Sequence, residues 1–143
     1  MKKVLIAGAT GAMGQKAVDL VNSLAGFEIT AALAPTLTKE NMADFHLASS
    51  VHPYQTLDEI EDGVADIWID FTLPSAVYQN VKFALEHGMR PIVGTTGLTD
   101  EQQADLVRLS EEKQVGGLIA ANFGMSAVLL MKFAQEAAKY FPD

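Results

Sequence analysis

The stretch VLIAGATGAMG, residues 4–14, decides the fold. Its first four residues are apolar, and a short apolar run of this kind is typical of a strand buried on both faces. Glycines follow at Gly8, Gly11 and Gly14, and apolar residues recur at helical spacing from Met13 onwards. A buried strand that passes through a glycine-rich turn into a helix is the opening unit of a parallel α/β sheet.

The rest of the chain repeats this alternation of short apolar runs and helical segments. Apolar runs predict strands at residues 4–7, 27–33, 67–69, 91–93 and 117–120. Helical spacing predicts a first helix over residues 13–24 and later helices that start at the caps Ser75, Thr99 and Ser126. Shorter helical turns are expected at 39–45 and 57–60, within an otherwise polar connection.

Capping residues mark the ends of these helices. Gly26 and Gly88 follow the first two helices as stop signals. Thr99 and Gln102, three residues apart, form a capping box for the third helix, which runs to about residue 113. The inner face of the final helix is expected to consist of Leu130, Phe133, Ala134 and Ala137.

Strands and helices that alternate at this spacing predict a Rossmann-type, doubly wound α/β fold. The expected sheet is mostly parallel and six-stranded, with helices on both faces. The 143 residues fit a single domain of this kind. Ligands of such sheets bind at the carboxyl ends of the strands, so the residues that follow each strand are the candidate functional residues.

The glycine loop after the first strand has the chemistry of a phosphate site. Gly8 allows a tight turn, Gly11 lets the backbone approach a pyrophosphate, and Gly14 lets the helix pack close to the sheet. The helix N-terminus then offers free N–H groups and the positive end of its dipole. This favours dinucleotide or nucleotide binding, although a tight strand-to-helix turn without a ligand has the same spacing.

The end of the second strand bears on the choice of dinucleotide. An acid that holds the ribose 2′-hydroxyl is expected there, but the chain has Ala34 and Pro35. Thr36, Thr38 and Lys39 follow, and Lys39 could attract a 2′-phosphate. NADH and NADPH both stay open, with a small preference for NADPH; alternatively, this polar stretch is a solvated loop that touches no cofactor.

Three more strand ends carry polar or glycine residues: residues 70–72, 94–97 and 120–124. Phe71 and Thr72 could contact a nicotinamide or its ribose, whereas Asp70 either joins the site or is a satisfied polar residue near the next helix. The loop GTTG either lets backbone approach a flat ring or is a plain turn. Asn122 could pair with a carboxamide or stabilise its own turn. Their location on one rim of one sheet is the main argument for a site.

Composition excludes several classes of function. The net charge of −8 disfavours nucleic acid and anionic membranes as partners. The chain has no cysteine, hence no disulfide, cysteine-type zinc site or thiol nucleophile, and we expect no metal site. No apolar run approaches the ~18 residues of a membrane span, and a cytoplasmic location is expected.

Four motifs together resemble dihydrodipicolinate reductase, the NAD(P)H-dependent family of the diaminopimelate route to lysine. They are GxxGxMG at residues 8–14, DFTxP at 70–74, VGTTG at 93–97 and AANF at 120–123. Their order and spacing match over nearly the whole chain. The resemblance implies cofactor contacts at Gly8, Ala9, Thr10, Gly11, Ala12, Met13, Phe71, Thr72, Gly94, Thr95, Thr96, Ala120, Ala121, Asn122 and Phe123.

The resemblance also implies parts that this sequence does not contain. The family carries an acid at the end of the second strand and a catalytic E-H-H-x-x-K segment after the last helix; neither is found up to Asp143. His46, His52 and His87 do not match that segment and are expected to be surface residues in loops or at helix ends. We therefore expect no catalytic residue here, a Rossmann domain over residues 1–125, and a helix over 126–143 that leads to an absent substrate domain.

The resemblance implies that the whole enzyme transfers hydride from nicotinamide to a cyclic dicarboxylate, 4-hydroxy-tetrahydrodipicolinate, and that it is a homo-oligomer. The 143 residues are expected to bind NADPH or NADH without turnover. Two other readings stay open: a stand-alone, non-catalytic dinucleotide-sensing or interaction domain, and a Rossmann enzyme that uses an adenosyl cofactor.

Overall fold

Six parallel strands form one sheet in the computed structural model, which describes residues 1–119. The sheet order is β3-β2-β1-β4-β5-β6. The strands are β1 (Lys2–Ala7), β2 (Phe27–Leu33), β3 (His52–Tyr54), β4 (Ile67–Asp70), β5 (Arg90–Val93) and β6 (Leu118–Ile119). This order is that of a doubly wound Rossmann sheet, so the predicted fold class is confirmed.

Within residues 1–119 three α-helices connect the strands, and they are α1 (Ala12–Ser23), α2 (Pro74–Glu86) and α3 (Asp100–Lys113). Two short 3₁₀ helices, Met42–Phe45 and Leu57–Glu59, flank β3. They lie within residues 39–45 and 57–60, where the sequence predicts helical turns, so these two turns are confirmed. The predicted final strand is described only as far as Ile119, and the predicted final helix, with its cap Ser126, lies outside the described residues.

The core lies on both faces of the sheet. Val4 and Ile6 of β1 pack with α1 on one face, while Leu5, between them, packs with Trp68 on the other. A third cluster joins Val93 of β5 to inward residues of α2 and α3. Because both faces are covered, β1 and β4 are apolar at successive positions rather than at alternate ones.

The N-terminus of α2 corrects one expectation. Leu73 is the N-cap and Pro74 the first helical residue, so Ser75 lies inside the first turn instead of capping it. Proline suits the first helical position because the N–H it lacks would have no partner there. The capping box of Thr99 and Gln102 is confirmed, with the Gln102 amide donating to Thr99 Oγ1 at 3.0 Å.

Strand β3 is the element that sequence reasoning failed to place. The sequence predicts six strands but locates only five, because His52, Pro53 and Tyr54 form no apolar run. Their strand has three residues and pairs with β2 alone, with Ala31 opposite His52. The expectation that His52 lies in a loop is therefore wrong.

Candidate functional site

A cleft of about 440 Å³ lies at the carboxyl ends of β1 to β4. This volume is in the range of small-molecule sites, roughly 300–1,000 Å³. Segments after four neighbouring strands form its walls, and none of the described residues that line it is charged. These residues are Gly8, Thr10, Gly11, Leu33, Ala34, Pro35, Gln55, Thr56, Leu57, Phe71, Thr72, Leu73, Ala76 and Asn80.

The glycine loop passes too close to its neighbours for other side chains. Gly8 has a φ of +85°, and a β-carbon there would overlap the carbonyl oxygen of Phe71. A β-carbon on Gly14 would overlap the carbonyl oxygen of Gly8. The turn from β1 into α1 therefore needs glycine at both positions, as the sequence predicts for the tight turn and the close helix packing.

Gly11 differs from the other two glycines because nothing in the fold requires it. Its backbone is extended, and a β-carbon would meet only the Gly8 carbonyl oxygen at 3.6 Å, an ordinary contact. Gly11 is exposed and is the N-cap of α1, yet no side chain among residues 1–119 caps this helix, and its first turn holds no acid. The first-turn N–H groups are thus left for a ligand, and an anion is favoured there.

A buried carboxylate organises the segment that follows β4. Asp70 is fully buried, and its Oδ1 accepts the Thr72 hydroxyl at 2.6 Å, the Thr95 hydroxyl at 2.7 Å and the Thr72 amide at 3.1 Å. Its Oδ2 accepts Trp68 Nε1 at 3.0 Å and Asn80 Nδ2 at 3.2 Å. The hydrogen-bonding capacity of Asp70 is therefore used inside the protein. Of the two roles that the sequence left open, Asp70 has that of a satisfied polar residue and not that of a group in the site.

The part of the cleft wall that follows β2 is apolar, and the polar loop beyond it is held by hydrogen bonds between its own residues. Thr38 donates its amide to Asn41 Oδ1 at 2.8 Å and accepts the Asn41 amide on Oγ1 at 3.2 Å, while Asn41 Nδ2 donates to the Thr36 carbonyl. Lys39 is exposed. Thr36, Thr38 and Lys39 do not line the cleft, so the attraction expected between Lys39 and a 2′-phosphate has no geometric support.

The wall after β3 is held by an acid. Glu59 Oε1 accepts the backbone amides of Gln55 and Thr56, each at 2.9 Å, which completes a capping box with Thr56. These two amide donors hold the pKa of the Glu59 carboxyl below its usual value. Gln55 Nε2 also donates to the Leu37 carbonyl at 2.9 Å, so the walls after β2 and β3 are tied together.

The structure brings some of the expected contact residues together and leaves others apart. Five of them line the cleft: Gly8, Thr10, Gly11, Phe71 and Thr72. Six others do not line it, and they are Ala9, Ala12, Met13, Gly94, Thr95 and Thr96. The last four, Ala120, Ala121, Asn122 and Phe123, lie outside the described residues.

Sequence reasoning missed the contribution of β3 and of α2. Gln55, Thr56 and Leu57 follow the strand that the apolar pattern did not reveal. Asn80 lines the cleft from α2 and is 5% exposed. It shares the helix face of Val77 and Ala84, and a polar residue in such an apolar stripe was the available signal for it.

The three histidines lie away from the cleft. His46 Nδ1 pairs with Asp19 at 2.8 Å on the surface. His87 follows α2 and stacks on Phe83 with ring centroids 3.9 Å apart. His52 is exposed on β3.

Residues 1–119 contain no group of three or more His, Cys, Asp or Glu side chains that could hold a metal ion. Within the same range, no helix is long and apolar enough to cross a membrane.

Comparison with known protein families decides where this chain belongs. The family described as "Dihydrodipicolinate reductase, N-terminus" matches residues 2–123. The chain belongs to this family. The resemblance carried by the four motifs of the sequence is thereby confirmed.

Curated relatives match nearly the whole chain. A 4-hydroxy-tetrahydrodipicolinate reductase from Lactobacillus helveticus is 63% identical over 142 residues, which are 99% of this chain and 54% of that protein. One from Lactobacillus acidophilus is also 63% identical, with the same coverage. The chain thus spans about half the length of these relatives.

A solved structure supports the same assignment. The dihydrodipicolinate reductase from Paenisporosarcina sp. TG-14, described as dipicolinate-bound, superposes with a TM-score of 0.74 at 34% identity. The match covers 100% of this chain and 56% of that one.

Proposed function

We propose that the cleft binds NADPH or NADH and that this chain is the cofactor-binding part of a 4-hydroxy-tetrahydrodipicolinate reductase. One observation carries the proposal. The uncapped N-terminus of α1, preceded by glycines at positions 8 and 11, opens into an uncharged cleft at the carboxyl edge of a Rossmann sheet. Membership of the reductase family supports a nicotinamide dinucleotide as the ligand of this cleft.

The walls of the cleft suggest how a dinucleotide lies in it. The pyrophosphate would lie on the loop from Gly8 to Met13, where the first-turn N–H groups of α1 are free. The adenosine would lie between Pro35 and the Gln55–Leu57 wall, because the segments after β2 and β3 meet there. The nicotinamide would then point past Phe71 and Thr72.

The nicotinamide end would reach the remaining expected contacts at the ends of the later strands. These are Gly94, the backbone at Thr95, and Thr96, followed by Ala120, Ala121, Asn122 and Phe123. The first three follow β5, the next strand along the same edge of the sheet.

The cleft gives little reason to discriminate between the two cofactors. No carboxylate lines its described part, so a 2′-phosphate meets no repulsion, and no cation lines it, so a 2′-phosphate gains no ion pair. We propose that NADPH and NADH both bind, with affinities within about tenfold, a difference of ~1.4 kcal/mol. The missing acid leaves a small preference for NADPH.

In the full-length reductase, the bound dinucleotide supplies a hydride for the substrate 4-hydroxy-tetrahydrodipicolinate. The residues described here would bind and orient that cofactor. We propose that the full-length protein acts in lysine biosynthesis by the diaminopimelate route, in the cytoplasm, as a homo-oligomer. The substrate would be held by a separate domain, with residues 1–125 as the dinucleotide domain and 126–143 as the helix that leads to it.

The 143 residues by themselves would bind the dinucleotide without turning over the substrate. No histidine or lysine lines the described part of the cleft, so this part offers no imidazole or ammonium group that could donate a proton. Steady oxidation of NADPH by this chain in the presence of the substrate would overturn this part of the proposal.

Gly11 offers a sharp test of the binding site. Gly11→Asp adds a carboxylate where the pyrophosphate should lie, yet the position is exposed and aspartate is a favoured N-cap, so the fold is retained. Gly11→Asn is the matched control, because asparagine has the same size and capping ability without the charge. Dinucleotide affinity is measured by calorimetry for both variants.

We expect Gly11→Asp to weaken NADPH binding by about 100-fold or more, on the order of 3 kcal/mol, because two negative groups are brought within a few ångströms. Gly11→Asn should bind at least tenfold more tightly than Gly11→Asp. Equal affinities of the two variants, or wild-type affinity in Gly11→Asp, would show that no anionic group lies at this helix end.

A further inference from the structure

Asp70 and Thr95 link the loop after β5 to the segment that follows β4 through side-chain hydrogen bonds. Asp70 ends β4, and Thr95 stands in the loop after β5. Neither lines the cleft, but both bond to Thr72, which does. The contacts of this pair therefore decide how the cleft wall at residues 71–73 is held.

The two carboxylate oxygens of Asp70 accept hydrogen bonds from different parts of the protein. Oδ2 faces Trp68 and Asn80, which fixes the carboxylate against the core and against α2. Oδ1 faces the loops and accepts from Thr72 and Thr95. The carboxylate therefore links the core to the segment that forms the cleft wall, because it is hydrogen-bonded to both.

Thr95 completes the connection through a single hydroxyl. Its Oγ1 lies 2.7 Å from Asp70 Oδ1, to which it donates, and it accepts the Thr72 amide at 2.8 Å. The Thr95 hydroxyl therefore bridges Asp70 and Thr72. It donates its proton to one and accepts a hydrogen bond from the other. Thr95 is 7% exposed, so this side chain is not free to bond a ligand.

We propose that Asp70 and Thr95 are positioning residues for dinucleotide binding, whose side chains hold the cleft wall at Thr72 in its binding geometry without touching the cofactor. The inference rests on the proposed function of the cleft. It gives the Thr95 side chain a positioning role and leaves to the Thr95 backbone the cofactor contact that the family resemblance implies. A preformed wall raises affinity because the ligand does not have to order it on binding.

The reason to expect a local effect is that Thr72 keeps its other partners when Thr95 loses its hydroxyl. The Thr72 amide still donates to Asp70 Oδ1 at 3.1 Å, and the Thr72 hydroxyl still donates to that oxygen and accepts Asn80 Nδ2. The wall is therefore loosened and not released. The sheet itself is untouched, because the backbone amide of Phe71 still donates to the Ala7 carbonyl at 2.9 Å.

Thr95→Val tests this role, since valine keeps the shape and removes the hydroxyl. Thr95→Ser is the rescue variant, because serine retains the bridging group. Thr30→Val is the control: Thr30 is partly buried, and its hydroxyl donates to the Val64 carbonyl at 2.6 Å, away from the cleft. Affinity for NADPH and NADH is measured by calorimetry on the 143-residue chain, and folding by circular dichroism and thermal unfolding.

We expect Thr95→Val to weaken binding of both dinucleotides about tenfold, while Thr95→Ser stays within about twofold of wild type. Thr30→Val should lose thermal stability but keep wild-type affinity. Wild-type affinity in Thr95→Val overturns the inference. An equal loss of affinity in Thr95→Val and Thr30→Val also overturns it, since the effect would then follow stability alone.

Two further results separate the inference from the function on which it rests. A wild-type chain that binds neither dinucleotide overturns the proposed function, and the positioning role with it; the outcomes above overturn the positioning role alone. If Thr95→Val does not give the wild-type circular dichroism spectrum, Thr95→Ala removes the same hydroxyl with less steric demand, and the same outcomes decide.

Discussion

A β-carbon on Gly8 would lie 2.6 Å from the carbonyl carbon of Phe71, and closer still to its oxygen. The turn after β1 and the turn after β4 therefore touch through bare backbone. Gly8→Ala should destabilise the chain by more than about 4 kcal/mol, because the added carbon must displace backbone and the φ of +85° is strained as well. Urea unfolding measures the loss.

Gly63 provides the control for that prediction. Its φ of +77° is similar, but a β-carbon there would meet nothing within 4 Å. Gly63→Ala should therefore cost only the strain of the left-handed backbone, roughly 1–2 kcal/mol. If Gly8→Ala and Gly63→Ala lose a similar free energy of unfolding, the close approach of Gly8 to Phe71 adds nothing to the cost of a side chain at Gly8.

The buried carboxylate gives a second prediction. In Asp70→Asn, either the side-chain NH₂ faces the donors Trp68 Nε1 and Asn80 Nδ2, or it faces the hydroxyls of Thr72 and Thr95. We expect a loss of about 3 kcal/mol in the free energy of unfolding, since buried donors are left unpaired.

Asp66→Asn is the comparison for Asp70→Asn. Asp66 is only partly buried, and its Oδ2 accepts the Lys3 amide at 3.0 Å near the surface. That variant should lose less than about 1 kcal/mol. Equal costs at the two positions would refute the importance of the buried network.

The capping box of α3 gives a third prediction. Thr99→Ala removes the acceptor of the Gln102 amide and should cost about 1 kcal/mol of stability. Thr99→Ser keeps the oxygen and should cost only a few tenths. Chemical denaturation of the two variants and the wild type compares them, and an alanine variant as stable as the serine one would contradict the assignment.

Alkaline pH should separate Tyr78→Phe from the wild type. The pKa of Tyr78 is raised above its ordinary value of 10.0, first because its hydroxyl donates to Asp105 and then through burial and the charge of that carboxylate. A phenol with a raised pKa in the folded chain contributes stability that is complete below pH 10 and is lost as the pH rises through the folded value.

Tyr78→Phe should therefore unfold at a lower urea concentration than wild type at pH 7, and the difference should shrink above pH 10. The pKa of Tyr54 is also raised, chiefly by burial, but this effect is common to both proteins and cancels. A difference that stays constant from pH 7 to pH 11 would rule out the link to Asp105.

The sequence alone was informative wherever local pattern and burial agree. Apolar runs such as Ile67-Trp68-Ile69 revealed the strands that are buried on both faces, and glycine spacing revealed the turn at Gly8. Strand β3 was not predicted because it is short and pairs on one side only. The cleft wall at Gln55 was not predicted either, since that residue reaches the cleft only through the pairing of β3 with β2.

The roles of individual polar residues were harder to foresee than their location. Thr72 and Thr95 stand at strand ends, as expected, but only tertiary structure shows that the Thr95 hydroxyl bonds to Asp70 instead of facing the cleft. Asn80 is adjacent to Asp70 in space and ten residues away in sequence. Such pairings depend on how α2 packs on the sheet, which local patterns do not encode.

A calorimetric titration of the purified 143-residue chain with NADPH, and separately with NADH, tests the central claim most directly. The account predicts saturable binding of both, with one dinucleotide per chain and affinities within about tenfold of each other. Absence of saturable binding by either dinucleotide at millimolar concentrations would contradict it, because a preformed site at α1 should then have been occupied.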